Sequence, residues 1–131
     1  MVRPDTLAEV ARRVNAGSRR FDYALSEFLD EFYMNPARRQ SMIDEEPEPL
    51  ADARHHAALG GVGEHLARRW KLDIPAWTEH PSRFLKRPYF TSSLEDLKAM
   101  LLVESPLAFR RRLIFTEAEP LRRARMPRDA A

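Results

Sequence analysis

The sequence predicts an all-α fold: a single domain built as a bundle of about five to six helices, with an irregular segment rich in tryptophan and proline wrapped around it. Apolar residues recur at spacings of three and four between recognisable caps, the signature of amphipathic helices. No stretch sustains the strict alternation of a half-buried strand, so no sheet is expected. The length, 131 residues, suits one domain and lets folding bury roughly two thirds of the surface that the unfolded chain exposes.

The helical N-terminal part covers residues 4–43. Asp5 or Thr6 caps a first helix carrying Leu7, Val10, Ala11 and Val14 on one face, with Gly17 as its stop. A second, from about Arg19 to Met34, repeats the pattern more strongly through Phe21, Ala24, Leu25, Phe28, Leu29, Phe32 and Tyr33. Asn35 followed by Pro36 reads as a cap with proline at the first helical position, opening a short third helix to about Ile43. The acidic, proline-bound stretch 44–49 stops it and reads as a solvated linker.

Residues 50–115 form the helical C-terminal part. The pattern through Leu59, Val62 and Leu66 is helical, yet Gly60, Gly61 and Gly63 interrupt it. Each interior glycine costs about 1 kcal/mol relative to alanine, so three of them either break the helix or permit a close backbone approach. A phosphate cradle would need a strand before the glycines, and none precedes them. Beyond lie Pro75, Pro81 and Pro88, punctuating an irregular aromatic stretch. Ser92 with Glu95 makes a capping box for a helix to Val103 with Leu94, Leu97, Met100 and Leu101 inward. Ser105 and Pro106 start a last helix, Leu107 to about Phe115, burying Leu107, Phe109, Leu113 and Ile114. The basic tail 120–131 holds too few apolar residues to fold by itself and is expected to be flexible.

Composition excludes several chemistries. Without cysteine there is no disulfide framework, thiolate metal site or cysteine nucleophile. Asp52 and His56 have the spacing of a metal half-site, but Leu59, Gly60 and Gly63 stand where a third ligand would be, so no metal and no cofactor are expected. No pair of carboxylates and no Ser/His/Asp arrangement stands out, so no catalytic residue is assigned. The longest apolar run, Ala99 to Val103, excludes a spanning helix and a membrane partner; the charged opening MVRPDTLAEVARR suggests a cytoplasmic protein. Net charge is +2, unevenly spread: residues 1–60 hold 8 basic and 11 acidic side chains, and 61–131 hold 14 and 9. A balance of −3 against +5 suggests an acidic partner for the second half, or contact between the halves of two copies in a homodimer.

Two sets of residues are candidates for binding. Residues 70–115 concentrate both tryptophans, four of the ten prolines and four of the seven phenylalanines, and aromatic residues with arginine dominate protein interfaces. Trp77, Phe84, Tyr89 and Phe90 are therefore the candidate partner contacts, the competing reading being that they fold back as core. The alternative function is accessory RNA or DNA binding through Arg110, Arg111, Arg112, Arg122, Arg123 and Arg125, each adding salt-dependent affinity for phosphate. Against it, the acids Glu104, Glu117 and Glu119 interleave with these arginines.

The block WKLDIPAW at 70–77, RFL at 83–85 with RPYF at 87–90, and ESPLAFRRRLIF at 104–115 resembles a segment shared by a group of small, mostly uncharacterised bacterial helical proteins, with a weaker likeness at FLDEFY, 28–33. Members of that group are sometimes appended to helix-turn-helix regulators and sometimes encoded beside nucleotidyltransferase-type toxins. The resemblance implies a genomic setting more than a mechanism and carries over no catalytic residue; the expected function is a non-catalytic protein-interaction module, antitoxin-like or a regulatory partner. This chain departs from it in lacking an evident helix-turn-helix of its own.

Overall fold

The structure, a computed structural model, describes residues 2–92 and 95–127. Helices α1 (Leu7–Asn15), α2 (Phe21–Met34), α3 (Arg39–Asp44), α4 (Ala53–Arg69), α5 (Glu95–Glu104) and α6 (Leu107–Arg110) follow in order, with 3-10 turns at Pro36–Arg38, Ala76–Glu79 and Pro81–Arg83. The all-α class holds. One departure is a two-residue parallel pair, β1 (Tyr89–Phe90) against β2 (Ile114–Phe115), with Tyr89 opposite Ile114. Two residues a strand are too few for alternation to show in a sequence. None of the described helices is long and apolar enough to cross a membrane.

Thr6 caps α1, its hydroxyl accepting from the Glu9 amide at 3.0 Å, and Gly17 ends the turn at φ +76°. The apolar stripe of α1 lies on α2, where Ala24, Phe28, Leu29, Phe32 and Tyr33 are buried while Phe21 and Leu25 are half-buried. Asn35 does not cap a third helix. Its amide donates back to the Glu31 carbonyl at 2.7 Å, closing α2, and Pro36 opens a 3-10 turn before α3. Arg39 then donates to the Phe32 and Tyr33 carbonyls, both at 3.1 Å, satisfying the end of α2, and stacks 4.3 Å over the Trp70 ring.

The acidic stretch is laid against the domain. Pro47 is buried, Arg12 pairs with Glu45 at 3.2 Å, and the Asn15 amide donates to Glu48 and to the Pro49 carbonyl. The tail up to residue 127 is likewise packed: Leu121 is buried, its carbonyl accepts from the Tyr33 hydroxyl at 2.8 Å, and Arg123 grips Asp30 with two bonds. Burial pushes the Tyr33 phenol up to about 12, so it remains a donor at neutral pH.

Helix α4 runs unbroken through its glycines and is the axis of the domain. It ends on Lys71 at φ +59°, with the Leu72 amide reaching back to the Ala67 carbonyl. The expected last helix is a single turn. It stops at Arg110 because Leu113 adopts φ +63°, which turns the chain into β2; Leu113 is half-buried and Leu107 is exposed, while Phe109 and Ile114 are buried. In α5, Leu101 is buried and Leu97 half-buried, but Met100 is exposed; the Ser92–Glu95 box and Leu94 lie outside the described residues or side chains.

Helical glycine to alanine ordinarily stabilises by about 1 kcal/mol, but here the sign should reverse. A Cβ on Gly60 would sit 2.9 Å from the Arg83 Cβ, and one on Gly61 would sit 2.9 Å from the Phe109 ring. Gly60→Ala and Gly61→Ala should each destabilise by about 1–3 kcal/mol. The urea midpoint reads this directly, and a raised midpoint would contradict the close packing.

Candidate functional site

The stretch from Trp70 to Tyr89 has little regular structure, so its buried backbone carbonyls need donors that no ladder supplies. The 3-10 turns satisfy several of them locally, and two buried arginines tie the stretch to the rest of the domain: Arg112 supplies the Thr78 carbonyl, while Arg83 reaches out of the stretch to carbonyls elsewhere. Arg83 donates to the Pro47 carbonyl at 2.8 Å and to the His56 carbonyl at 3.1 Å, with its guanidinium 5.0 Å from the Trp77 ring. Arg112, fully buried, donates to the Thr78 and Ala108 carbonyls and to Glu64 Oε1 at 2.6 Å. The bare Gly60 backbone is what lets both side chains lie against α4.

Glu64, also fully buried, balances this charge. Arg68 and Arg111 reach its second oxygen at 2.8 and 2.7 Å, and Arg111 bridges onward to Glu79. Burial by itself pushes the Glu64 carboxyl up; the bonds from Arg112, Arg68 and Arg111 together outweigh it and hold the group below its usual range. The Phe84 ring packs beside the cations of Arg112, at 4.4 Å, and Arg111, at 5.5 Å.

This framework holds residues 81–89 against the first turn of α4, leaving a cleft of about 550 Å³ between them. Its apolar lining comes from Pro81, Phe84, Leu85, Pro88 and Tyr89, and its cations are Arg54, Lys86 and Arg87. Among the described residues no carboxylate lines it. Lys86 and Arg87 are exposed and form no ion pair among the described residues, whereas Arg54 pairs with Asp52 at 3.1 Å and lies 5.1 Å over the Tyr89 ring. The Arg54 hydrogen bonds drive the Asp52 carboxyl down to about 2. Beyond Arg54 and Tyr89 lies a second recess of about 280 Å³.

The wall of the cleft holds an arrangement that the sequence did not reveal. Ser82 Oγ lies 2.9 Å from His56 Nε2 and 2.8 Å from His80 Nδ1. His56 Nδ1 accepts from the Leu50 amide and faces Arg83, which leaves the ring proton on Nε2, donated to Ser82. Burial and the Arg83 charge keep the imidazole neutral by lowering its pKa. Ser82 in turn donates to His80. No carboxylate hydrogen-bonds either imidazole among the described residues, and the amides of Arg83 and Phe84 are spent on the His80 and Pro81 carbonyls. His80 Nδ1 also accepts from the Ser82 amide at 3.1 Å, capping the 81–83 turn.

No protein-family model, curated protein or solved structure matches this chain.

The candidate partner contacts divide. Phe84 and Tyr89 line the cleft; Phe90 stacks on Phe115 at 5.0 Å beside it. Trp77 is buried, and its indole donates to the Ile43 carbonyl at 3.0 Å, so it is a core residue. The arginines disperse as well. Arg112 is buried, Arg111 is held by Glu64 and Glu79, Arg123 by Asp30, and Arg110 by the Val103 and Ser105 carbonyls. Arg122 is exposed and Arg125 lies against the Met34 sulfur. Of the six, Arg112 is buried, Arg123 is half-buried and the other four are exposed. Among the described residues no cluster of three or more His, Asp or Glu could hold a metal ion.

Glu64 binds fewer protons folded than unfolded, so its contribution is complete above its usual value of 4.5 and is lost as pH falls through the lower folded value. Glu64→Gln should cost about 3–5 kcal/mol at pH 7, since it leaves Arg112 buried without its counter-charge. It should also flatten the fall of stability below about pH 5. Urea titrations from pH 7 to pH 3 test both; an unchanged acid limb would show that Glu64 does not carry it.

Proposed function

We propose that this chain is a non-catalytic protein-interaction module whose cleft takes an acidic, extended segment of a partner protein. The observation that supports this reading is the cleft itself: an apolar floor of proline and aromatic side chains, three cations and, among the described residues, no lining carboxylate and no ion pair for Lys86 or Arg87. Aromatic and proline side chains bind with little loss of freedom, and the unmatched charge favours an acidic segment and rejects a basic one. The resemblance noted above suggests an antitoxin-like or regulatory setting in the bacterial cytoplasm. A second copy fits the same chemistry through its exposed Glu46 and Glu48, which makes a homodimer one form of the complex.

A random-peptide display selection tests the reading. Wild-type protein should enrich acidic peptides; Lys86→Glu with Arg87→Glu should abolish their binding, and Arg122→Glu with Arg125→Glu should not. Selected peptides without acidic bias, or binding indifferent to the reversal at 86 and 87, would sink it.

A further inference from the structure

Resting on the reading of the cleft as a site for an acidic segment, we infer that the recess behind Arg54 and Tyr89 is a pocket for one aromatic side chain of that segment. The two cavities share Arg54 and Tyr89 as their common wall, so an extended chain crossing the cleft can drop one side chain past them. At about 280 Å³ the recess lies just below the usual range for whole small-molecule sites and suits a single ring.

Its walls choose the ring. Phe21 and His55, which both line the recess, stack on one another with ring centroids 4.2 Å apart and planes 4° from parallel. Tyr89 and Phe109 add further rings, and Ala58 and Ile114 are aliphatic. Aromatic groups gain from such surroundings beyond simple burial. The threonine hydroxyls there are already donating, Thr91 to the Phe115 carbonyl and Thr116 to the Glu117 carbonyl, and ask nothing of an apolar guest. Among the described residues no carboxylate lines the recess; the Asp52 carboxylate nearby is held by Arg54 at the threshold, and acidic neighbours of the inserted ring meet Lys86 and Arg87 along the cleft. The recognised element is thus an acidic segment bearing one phenylalanine or tyrosine.

The experiment compares two capped hexapeptides on the full chain by calorimetry: five acidic residues with one phenylalanine at the fourth position, and the same peptide with alanine there. The phenylalanine peptide should bind about tenfold or more tightly. Ala58→Leu, which narrows the recess, should erase that difference while leaving acidic binding intact. In the wild type, the Ala58 and Ile114 methyl resonances should shift with the phenylalanine peptide alone, a readout that needs no variant. Equal affinity for the two peptides, or a preference with those methyls unmoved, overturns the recess assignment and leaves the cleft reading standing. Binding of neither peptide overturns both.

Discussion

A carboxylate and a guanidinium, both fully buried and 2.6 Å apart, hold this fold's irregular half to its regular half. Charges removed from water at that depth destabilise unless geometry and additional hydrogen bonds compensate. Here they do so in an unusually productive way. Each oxygen of Glu64 accepts from arginine, and Arg112 gives two further terminal N–H groups to the carbonyls of Thr78 and Ala108, leaving its buried Nε without a partner among the described residues. The ion pair thus joins three elements: it ties the Thr78 carbonyl, in a segment with almost no ladder of its own, to α4 through Glu64 and to α6 through Ala108. Arg83, itself in the irregular segment, adds a second tie by donating outward to the Pro47 and His56 carbonyls.

The glycines of α4 are the other half of that constraint. Glycine weakens a helix, and three within four residues would be a liability if the helix faced only apolar side chains. Gly60 lets the two arginines approach, Gly61 receives the Phe109 ring and Gly63 receives Trp77 and Thr78. One face of one helix therefore sets the position of the 76–79 turn, the 81–83 turn and α6 together. The cleft lies at the edge of this arrangement, and its shape follows from it: residues 81–89 are held from behind by Arg83, while Phe84 packs beside the cations of Arg111 and Arg112.

Much of the regular half was legible in the sequence because its signals are local. The stripes of α1 and α2, the Thr6 cap and the Gly17 stop depend on residues within a turn of one another. The irregular half depends on distant partners. In the run Arg110, Arg111, Arg112 nothing local separates an exposed guanidinium from a buried one; the left-handed turn at Leu113 and a glutamate on α4 decide it. Asn35–Pro36 reads equally well as the end of one helix or the start of the next. The tail offers only Leu121 and Met126 as large apolar residues, and its stretch to residue 127 packs because Tyr33 and Asp30 lie waiting on α2. At the candidate site Phe84 and Tyr89 stood out by type, whereas Lys86 did not. A usable signal was present: residues 81–94 contain Arg83, Lys86 and Arg87 and no carboxylate. Ser82 and His56 come from different elements, and only the fold brings them together.

Hydrogen exchange on Arg112→Met, set against the wild type, tests most directly whether the buried ion pair holds the irregular segment. The amides of Leu85, Tyr89 and Thr91 bond to the Arg112, Leu113 and Phe115 carbonyls and report on that segment. The account predicts that they lose protection by about a hundredfold or more, while amides in the middle of α2 lose far less. Protection at those three amides unchanged by the substitution, or lost only in step with α2, would contradict it.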